Sequence, residues 1–180
     1  MGVRNYLIEG VSGSGKTTVA EELQRRGCHV VHGDRELAYH GDPETGDAAE
    51  GAAAGEGFDE VAWRHGRWIW NVDKVRSLVA DRTHRETFFC GGSRNHPRYI
   101  DLFDKVFALE VDLETLKRRV SGRADDEFGA KPGEWAMLAR LHATQEDIPK
   151  RAVSIDAARP IARVVDEILS HCRDGDPEAG

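Results

Sequence analysis

Cysteine is scarce: Cys28, Cys90 and Cys172 are the only three in 180 residues. A small, odd and scattered set excludes a disulfide framework, and no Cys/His spacing suits zinc, so a reducing cytoplasm is the expected setting. Long apolar runs are also missing. Hydrophobic residues make up 39% of the chain, and no stretch approaches the roughly 18 apolar residues that a membrane span requires. The first strand pattern begins within a few residues of the N-terminus, so no secretory leader is expected. Positive charge is in deficit, with 25 Lys and Arg against 32 Asp and Glu and a formal net charge of −7. That balance argues against a non-specific nucleic-acid surface. No internal repeat divides the chain, and its length suits one domain with a proper core.

Strand and helix patterns alternate, which predicts an α/β fold with a parallel sheet covered on both faces. Strands are expected at Tyr6–Glu9, Cys28–His32, Thr87–Cys90, Lys105–Val111 and Ala152–Ile155. The first helix places Val19, Ala20 and Leu23 at core spacing and stops at Gly27, a good residue just past a helix end. Residues 41–60 hold seven acids, five glycines and no Lys or Arg, and without hydrophobic periodicity they read as a mobile acidic insertion. One helix is expected after it, drawing on Trp63, Trp70, Val72, Val75, Leu78 and Val79. A short helix is expected from Pro97 through Phe103, and Asp112 is expected to cap the helix that follows strand four. Residues 121–134 read as a lid, and the tail from 174 to 180 as frayed, leaving a single domain over 1–173.

The chemistry is carried by residues 6–18, Tyr-Leu-Ile-Glu-Gly-Val-Ser-Gly-Ser-Gly-Lys-Thr-Thr. An apolar strand entering Gly-x-x-x-x-Gly-Lys-Thr and then a helix is a phosphate-binding P-loop. Glycines at 10, 13 and 15 let successive N–H groups point into one concavity, and the helix adds its positive end. The cradle runs over Gly10, Ser12, Gly13, Ser14, Gly15, Lys16, Thr17 and Thr18. Lys16 is placed to bridge the β- and γ-phosphates of a nucleoside triphosphate, and the Thr17 hydroxyl to ligate Mg²⁺.

P-loops serve several classes. A guanine reader of the Asn-Lys-x-Asp kind is not found: Asn71-Val72-Asp73-Lys74 has the wrong order. Strand four, Val-Phe-Ala-Leu-Glu-Val-Asp, lacks the Asp-Glu ending of motor ATPases. Asp34, at the carboxyl end of strand two, lies on the sheet edge where ligands gather, placed to hold Mg²⁺ through water or to accept the proton of an attacking hydroxyl. Arg35 beside it could steer an anionic acceptor. Gly91 and Gly92, directly after a strand, allow close approach of a substrate, with Ser93, Arg94 and Asn95 as hydrogen-bonding partners. Arg67, Trp68 and Trp70 offer an aromatic face for stacking on a base.

The order of P-loop, strand ending in Asp34, strand ending in Gly-Gly, arginine-bearing lid and final strand–helix resembles the adenylate-kinase-like group, with its shikimate, gluconate and nucleoside monophosphate kinases. The segments Gly-Asp-Arg-Glu, Phe-Phe-Cys-Gly-Gly-Ser-Arg-Asn and Arg-Leu-His-Ala-Thr resemble small bacterial proteins labelled nucleoside kinases. The resemblance implies a three-layer fold with five strands in the order 2-3-1-4-5, and use of ATP and Mg²⁺. It implies that Arg119 and Arg123 close over the transferring phosphoryl group, that Arg140 touches the acceptor, and that Arg159 and Pro160 lie against the adenine ring. It also strengthens the metal or base role of Asp34. The expected activity is phosphoryl transfer from ATP to a small metabolite, first a nucleoside or nucleotide, with a sugar acid or shikimate-like acceptor as the alternative. A regulatory ATPase and a kinase of nucleic-acid ends remain open as other classes, and the chain is expected to be a monomer or homodimer.

Overall fold

In the computed structural model, residues 3–51, 55–123 and 128–173 are described. The first half comprises β1 (Arg4–Glu9), α1 (Lys16–Arg25), β2 (His29–His32), α2 (Gly33–Glu36), β3 (Ala38–His40), α3 (Phe58–Gly66), β4 (Trp68–Trp70) and α4 (Val72–Ala80). The second half comprises β5 (Glu86–Cys90), two 3₁₀ turns (His96–Arg98 and Ile100–Leu102), β6 (Lys105–Glu110), α5 (Leu113–Ser121), α6 (Pro132–Thr144), β7 (Val153–Asp156) and α7 (Ile161–Arg173).

Five strands form one sheet in the order β2-β5-β1-β6-β7, and every pairing is parallel. The order in chain numbering is therefore 2-5-1-6-7 rather than the expected 2-3-1-4-5. The difference comes from β3 and β4, an antiparallel pair that forms its own two-stranded sheet between β2 and β5 in the chain. Alternation along β1 divides the core. Tyr6 and Ile8 face a cluster with Phe88, Phe107 and residues of α1 and α7, while Leu7 faces Val31, Phe89, Val106, Trp70, Val75 and Tyr99. Near-continuous burial of β1, β5 and β6 follows from helices lying on both faces.

The single helix expected after the acidic segment is two helices with a strand between them. Gly66 ends α3, and Trp68-Ile69-Trp70, with its two aromatic side chains and a β-branched one, pairs with Ala38–His40 instead of coiling. The Asn71 side chain then starts α4 by accepting from the Lys74 N–H at 2.9 Å. The short helix expected after Pro97 is replaced by the two 3₁₀ turns, with Phe103 extended. Within 41–60, Asp42 accepts from the N–H groups of Glu44 and Thr45 at 2.9 and 3.0 Å, a turn that periodicity does not signal.

Other end signals are met. Gly27, at φ 85°, closes α1 with bonds from its own N–H to Gln24 O and from Cys28 N to Leu23 O. Asp112 caps α5 by accepting from Thr115 N at 2.7 Å. A third cluster, with Val61 of α3, Leu116 and Val120 of α5, and Leu138 and Leu141 of α6, packs beside the P-loop residue Val11. Of the expected lid, residues 124–127 lie outside the described residues, as does the tail from 174 to 180.

Gly33 carries a sharp packing constraint. A Cβ there would run into the Trp70 ring, which is fully buried. Gly33→Ala is expected to destabilise the protein by about 1–3 kcal/mol, read as a lower midpoint in urea unfolding. An unchanged midpoint would show that the ring has room to move.

Candidate active site

The carboxyl ends of β1, β2 and β5 open into a cleft of about 380 Å³. Its lining includes Glu9, Gly10, Val11, Ser12 and Lys16 from β1 and the P-loop, Asp34 from α2, and Gly92 and Arg94 from the turn after β5. Trp68 of β4 stands beside that turn, and His65, Phe128, Leu138, Asp147 and Ile148 complete the facing wall. The helices α3 and α6, packed in the third core cluster beside Val11, carry His65 and Leu138 of that wall.

The P-loop has the backbone its glycines predict. Gly10, Gly13 and Gly15 have φ of 152°, 91° and 113°, a region L side chains rarely enter. A Cβ on Gly13 would also press on Leu116 at 2.9 Å and Val120 at 3.0 Å, so helix α5 packs directly on the loop. Lys16 folds its Nζ into the concavity, 2.5 Å from Gly10 O and 3.3 Å from Val11 O. Burial lowers its pKa, while Asp34 and Glu9 pull the other way. Ser14 is fully buried with an unpartnered Oγ inside the turn. Thr17 and Thr18 are exposed at the start of α1.

Both arginines expected over the phosphoryl group lie against this loop. Arg119 donates to Ser14 O at 2.8 Å and to Ala157 O at 2.7 Å, tying the P-loop to the turn after β7. Arg123 donates to Ser12 Oγ at 3.0 Å and to Phe128 O. Asp34 Oδ1 accepts from Gly92 N at 3.1 Å and from Trp68 Nε1 at 3.4 Å, so the turn after β5 and the aromatic wall meet at one carboxylate. Gly91, at φ 152°, has no room for a Cβ, which would come within 2.7 Å of Asp34 Oδ1 and of Trp70.

Several expected acceptor contacts lie elsewhere. Trp70 is fully buried and stacked on Tyr99, with ring centroids 5.6 Å apart; Trp68 is the tryptophan that faces the cleft. Ser93 is fully buried and bonded to Asn95 at 2.7 Å and to Tyr99 at 2.6 Å, a structural network beneath the turn. Arg67 stacks on Trp63 at 4.7 Å, outside the cleft. Arg140 is exposed and paired with Glu146 at 3.1 Å. Arg35 is exposed on α2 and does not line the cleft. Arg159 and Pro160, expected against an adenine ring rather than the acceptor, are exposed after β7, and Arg159 pairs with Glu167 and Asp156.

Three residues in the cleft, Glu9, His65 and Asp147, carry chemistry that sequence reasoning missed or left without a role, and two of them meet the expected Arg94. Glu9 ends β1 with its carboxyl buried and Oε1 unpartnered. Burial pushes it up to about 8, against the opposite pull of Arg94 and Lys16. Arg94 makes an ion pair with Asp147 Oδ1, and His65 Nε2 lies 2.6 Å from Asp147 Oδ2. Burial and the adjacent Arg94 push His65 down to about 4, so the neutral ring donates its Nε2–H to Asp147. An acid directly before the P-loop glycine was the one available signal for Glu9.

With this geometry the chain has the three-layer fold and P-loop of the small P-loop kinases of the adenylate-kinase-like group. A family model described as AAA domain matches residues 7–134, and the chain belongs to that family. No curated protein sequence matches the chain. Among solved structures, shikimate kinase from Acinetobacter baumannii in complex with shikimate is similar at 17% identity, with 98% of this chain and 96% of that one covered and a TM-score of 0.62. A gluconokinase from Sinorhizobium meliloti is similar at 18% identity over 95% and 92%, with a TM-score of 0.55. Deoxyadenosine kinase from M. mycoides with bound dATP is similar at 16% over 94% and 99%, with a TM-score of 0.52. Among the described residues, no helix is long and apolar enough to cross a membrane.

Proposed function

We propose that the chain is an ATP- and Mg²⁺-dependent phosphotransferase that acts on a small metabolite, a nucleoside or nucleotide before a sugar acid or shikimate-like compound. The observation that carries this reading is the shared cleft: Lys16 and the P-loop line one end, and Asp34, Gly92 and Trp68 line the other. A triphosphate held by the loop would therefore point its terminal group at an acceptor lying along Trp68. The solved structures that share the fold, a shikimate kinase, a gluconokinase and a deoxyadenosine kinase, support the same reading.

The loop fits the nucleotide. Its three glycines hold left-handed backbone around a concavity that already contains a lysine ammonium, and Thr17 lies in the first turn of the helix that starts at Lys16 and brings its positive end to the loop. Thr17 and Asp34 would hold Mg²⁺, which supplies neutralisation of phosphate charge when bound. Lys16 leaves Gly10 O for phosphate oxygens and stabilises charge that grows during transfer. Asp34 orients the acceptor hydroxyl and takes its proton. Arg119 and Arg123, anchored on Ser14 and Ser12, sit where they can close on the triphosphate, and the walls of Leu138, Leu141 and Phe128 exclude water.

Incubation with ATP and a pooled metabolite extract, followed by mass spectrometry, should return at least one compound heavier by one phosphate. Asp34→Ala is expected to lower that transfer by about 10²-fold or more with nucleotide affinity nearly unchanged. Full turnover in the variant would remove Asp34 from the mechanism, and no phosphorylated product from the parent protein would count against the kinase reading as a whole.

A further inference from the structure

We propose that the cleft selects an uncharged, hydroxyl-bearing acceptor, a nucleoside rather than a nucleotide or sugar acid, and that Asp147 sets this choice by cancelling the charge of Arg94. The inference rests on the kinase reading above and concerns only the acceptor half of the cleft.

Arg94 is the cation best placed to greet an anionic acceptor, because it follows Gly91-Gly92 at the sheet edge and lines the cleft. Its guanidinium is already committed to Asp147 Oδ1, and the second oxygen of that carboxylate is held by His65 at 2.6 Å. The pair is well buried, with side-chain exposures of 14% and 16%, so water does little to screen it. Arg64, the other arginine of the lining, donates to Gly55 O at 2.7 Å, and Lys16 belongs to the P-loop. The lining also carries Asp34 and Asp147, together with Glu9, whose buried carboxyl keeps its proton near neutral pH. A carboxylate or phosphate on the acceptor would share the cleft with Asp34 and would have to displace Asp147 from Arg94.

An uncharged hydroxyl meets no such obstacle. Arg94 Nε is buried without a hydrogen-bond partner, and so is Glu9 Oε1. The first is a donor and the second belongs to a carboxyl, so a hydroxyl, which both donates and accepts, has the chemistry to answer either one without bringing charge. Around this polar end, Trp68, Phe128, Leu138 and Ile148 give an apolar wall suited to a ring face. A nucleoside has the hydroxyls and the flat ring, and lacks the negative charge.

The test is calorimetric titration of the protein saturated with Mg²⁺ and the non-hydrolysable analogue AMP-PNP, which keeps anions out of the P-loop. The probes are adenosine, guanosine, cytidine and uridine against their monophosphates, D-gluconate and shikimate. The parent protein is expected to bind at least one nucleoside about tenfold or more tighter than any anionic probe. Asp147→Asn, which uncovers the Arg94 charge, is expected to shift the ratio of anionic to uncharged affinity by about tenfold or more toward the anions, while Asp147→Glu keeps the parent preference. The proposal is overturned if an anion matches the best nucleoside, if no nucleoside binds, or if a folded Asp147→Asn leaves the ratio unchanged. Should Asp147→Asn fail to fold, the parent panel decides alone. Failure of AMP-PNP itself to bind the parent strikes the kinase reading at the first titration, and so is told apart from a wrong acceptor class.

Discussion

Lys16→Ala is expected to lower phosphoryl transfer by about 10³-fold or more with little loss of stability. The asymmetry follows from where the ammonium sits. Its two hydrogen-bond partners are the carbonyls of Gly10 and Val11 rather than a carboxylate, and burial lowers its pKa. With carbonyls in direct contact and Asp34 and Glu9 acting only at longer range, removing the ammonium breaks no ion pair and leaves no orphaned acid bonded to it. Its value is realised only when phosphate charge enters the loop. The check is acceptor phosphorylation and acceptor-free ATP hydrolysis measured beside urea unfolding. Parent-like turnover would mean that the P-loop does not hold the reacting nucleotide, and a collapse of stability would mean that Lys16 holds the loop itself.

Glu9→Gln is expected to do the opposite, stabilising the ligand-free protein at mildly alkaline pH. The carboxyl is raised from its ordinary 4.5 to about 8 by burial at the end of β1. In the folded protein it therefore keeps its proton below about pH 8, whereas in the unfolded chain it loses that proton above about pH 4.5. A raised acid favours the folded state fully below the lower value, and that advantage drains away as pH climbs through the upper one. Each pH unit of the interval corresponds to about 1.4 kcal/mol, so the parent should lose several kcal/mol across it and level off above. Glutamine, which never ionises, should flatten this slope and be more stable than the parent by about 2 kcal/mol or more at pH 8. Urea midpoints at a series of pH values read this directly. A parent profile that stays flat from pH 5 to pH 8, or a glutamine variant no better at the alkaline end, would show that Lys16 and Arg94 keep Glu9 ionised.

The P-loop was legible in the sequence because everything it needs is local. Three glycines, one lysine and a strand-to-helix switch within a dozen residues leave the backbone few alternatives, and the observed φ values follow. Asp34 and the Gly91-Gly92 turn were legible for a related reason, since the ends of parallel strands are forced to one edge of the sheet. The opposite wall was not. His65 comes from α3 and Asp147 from the loop after α6, and no spacing links them to each other or to Arg94, the residue of the glycine turn that they meet, before the chain folds. Trp68 and Trp70 are two residues apart in a strand that reads as helix. Which of them reaches the cleft depends on how far each lies beneath Gly33 and Gly91, a matter of depth that pattern does not carry. Arg140 was misplaced because a resemblance transfers position along a helix but not the local partner, here Glu146.

Asn95 has a mechanical consequence. Its side-chain amide accepts from Trp70 N at 3.0 Å and donates to Trp70 O at 2.9 Å, copying the two bonds a neighbouring strand would make. The main chain adds a third link, from Arg94 N to Trp68 O at 2.8 Å. The hairpin that bears Trp68 is thus riveted to the glycine turn that floors the cleft. Floor and aromatic wall are fastened to each other, and the side formed by α3 and α6 joins them through Asp147, which pairs with Arg94 and His65.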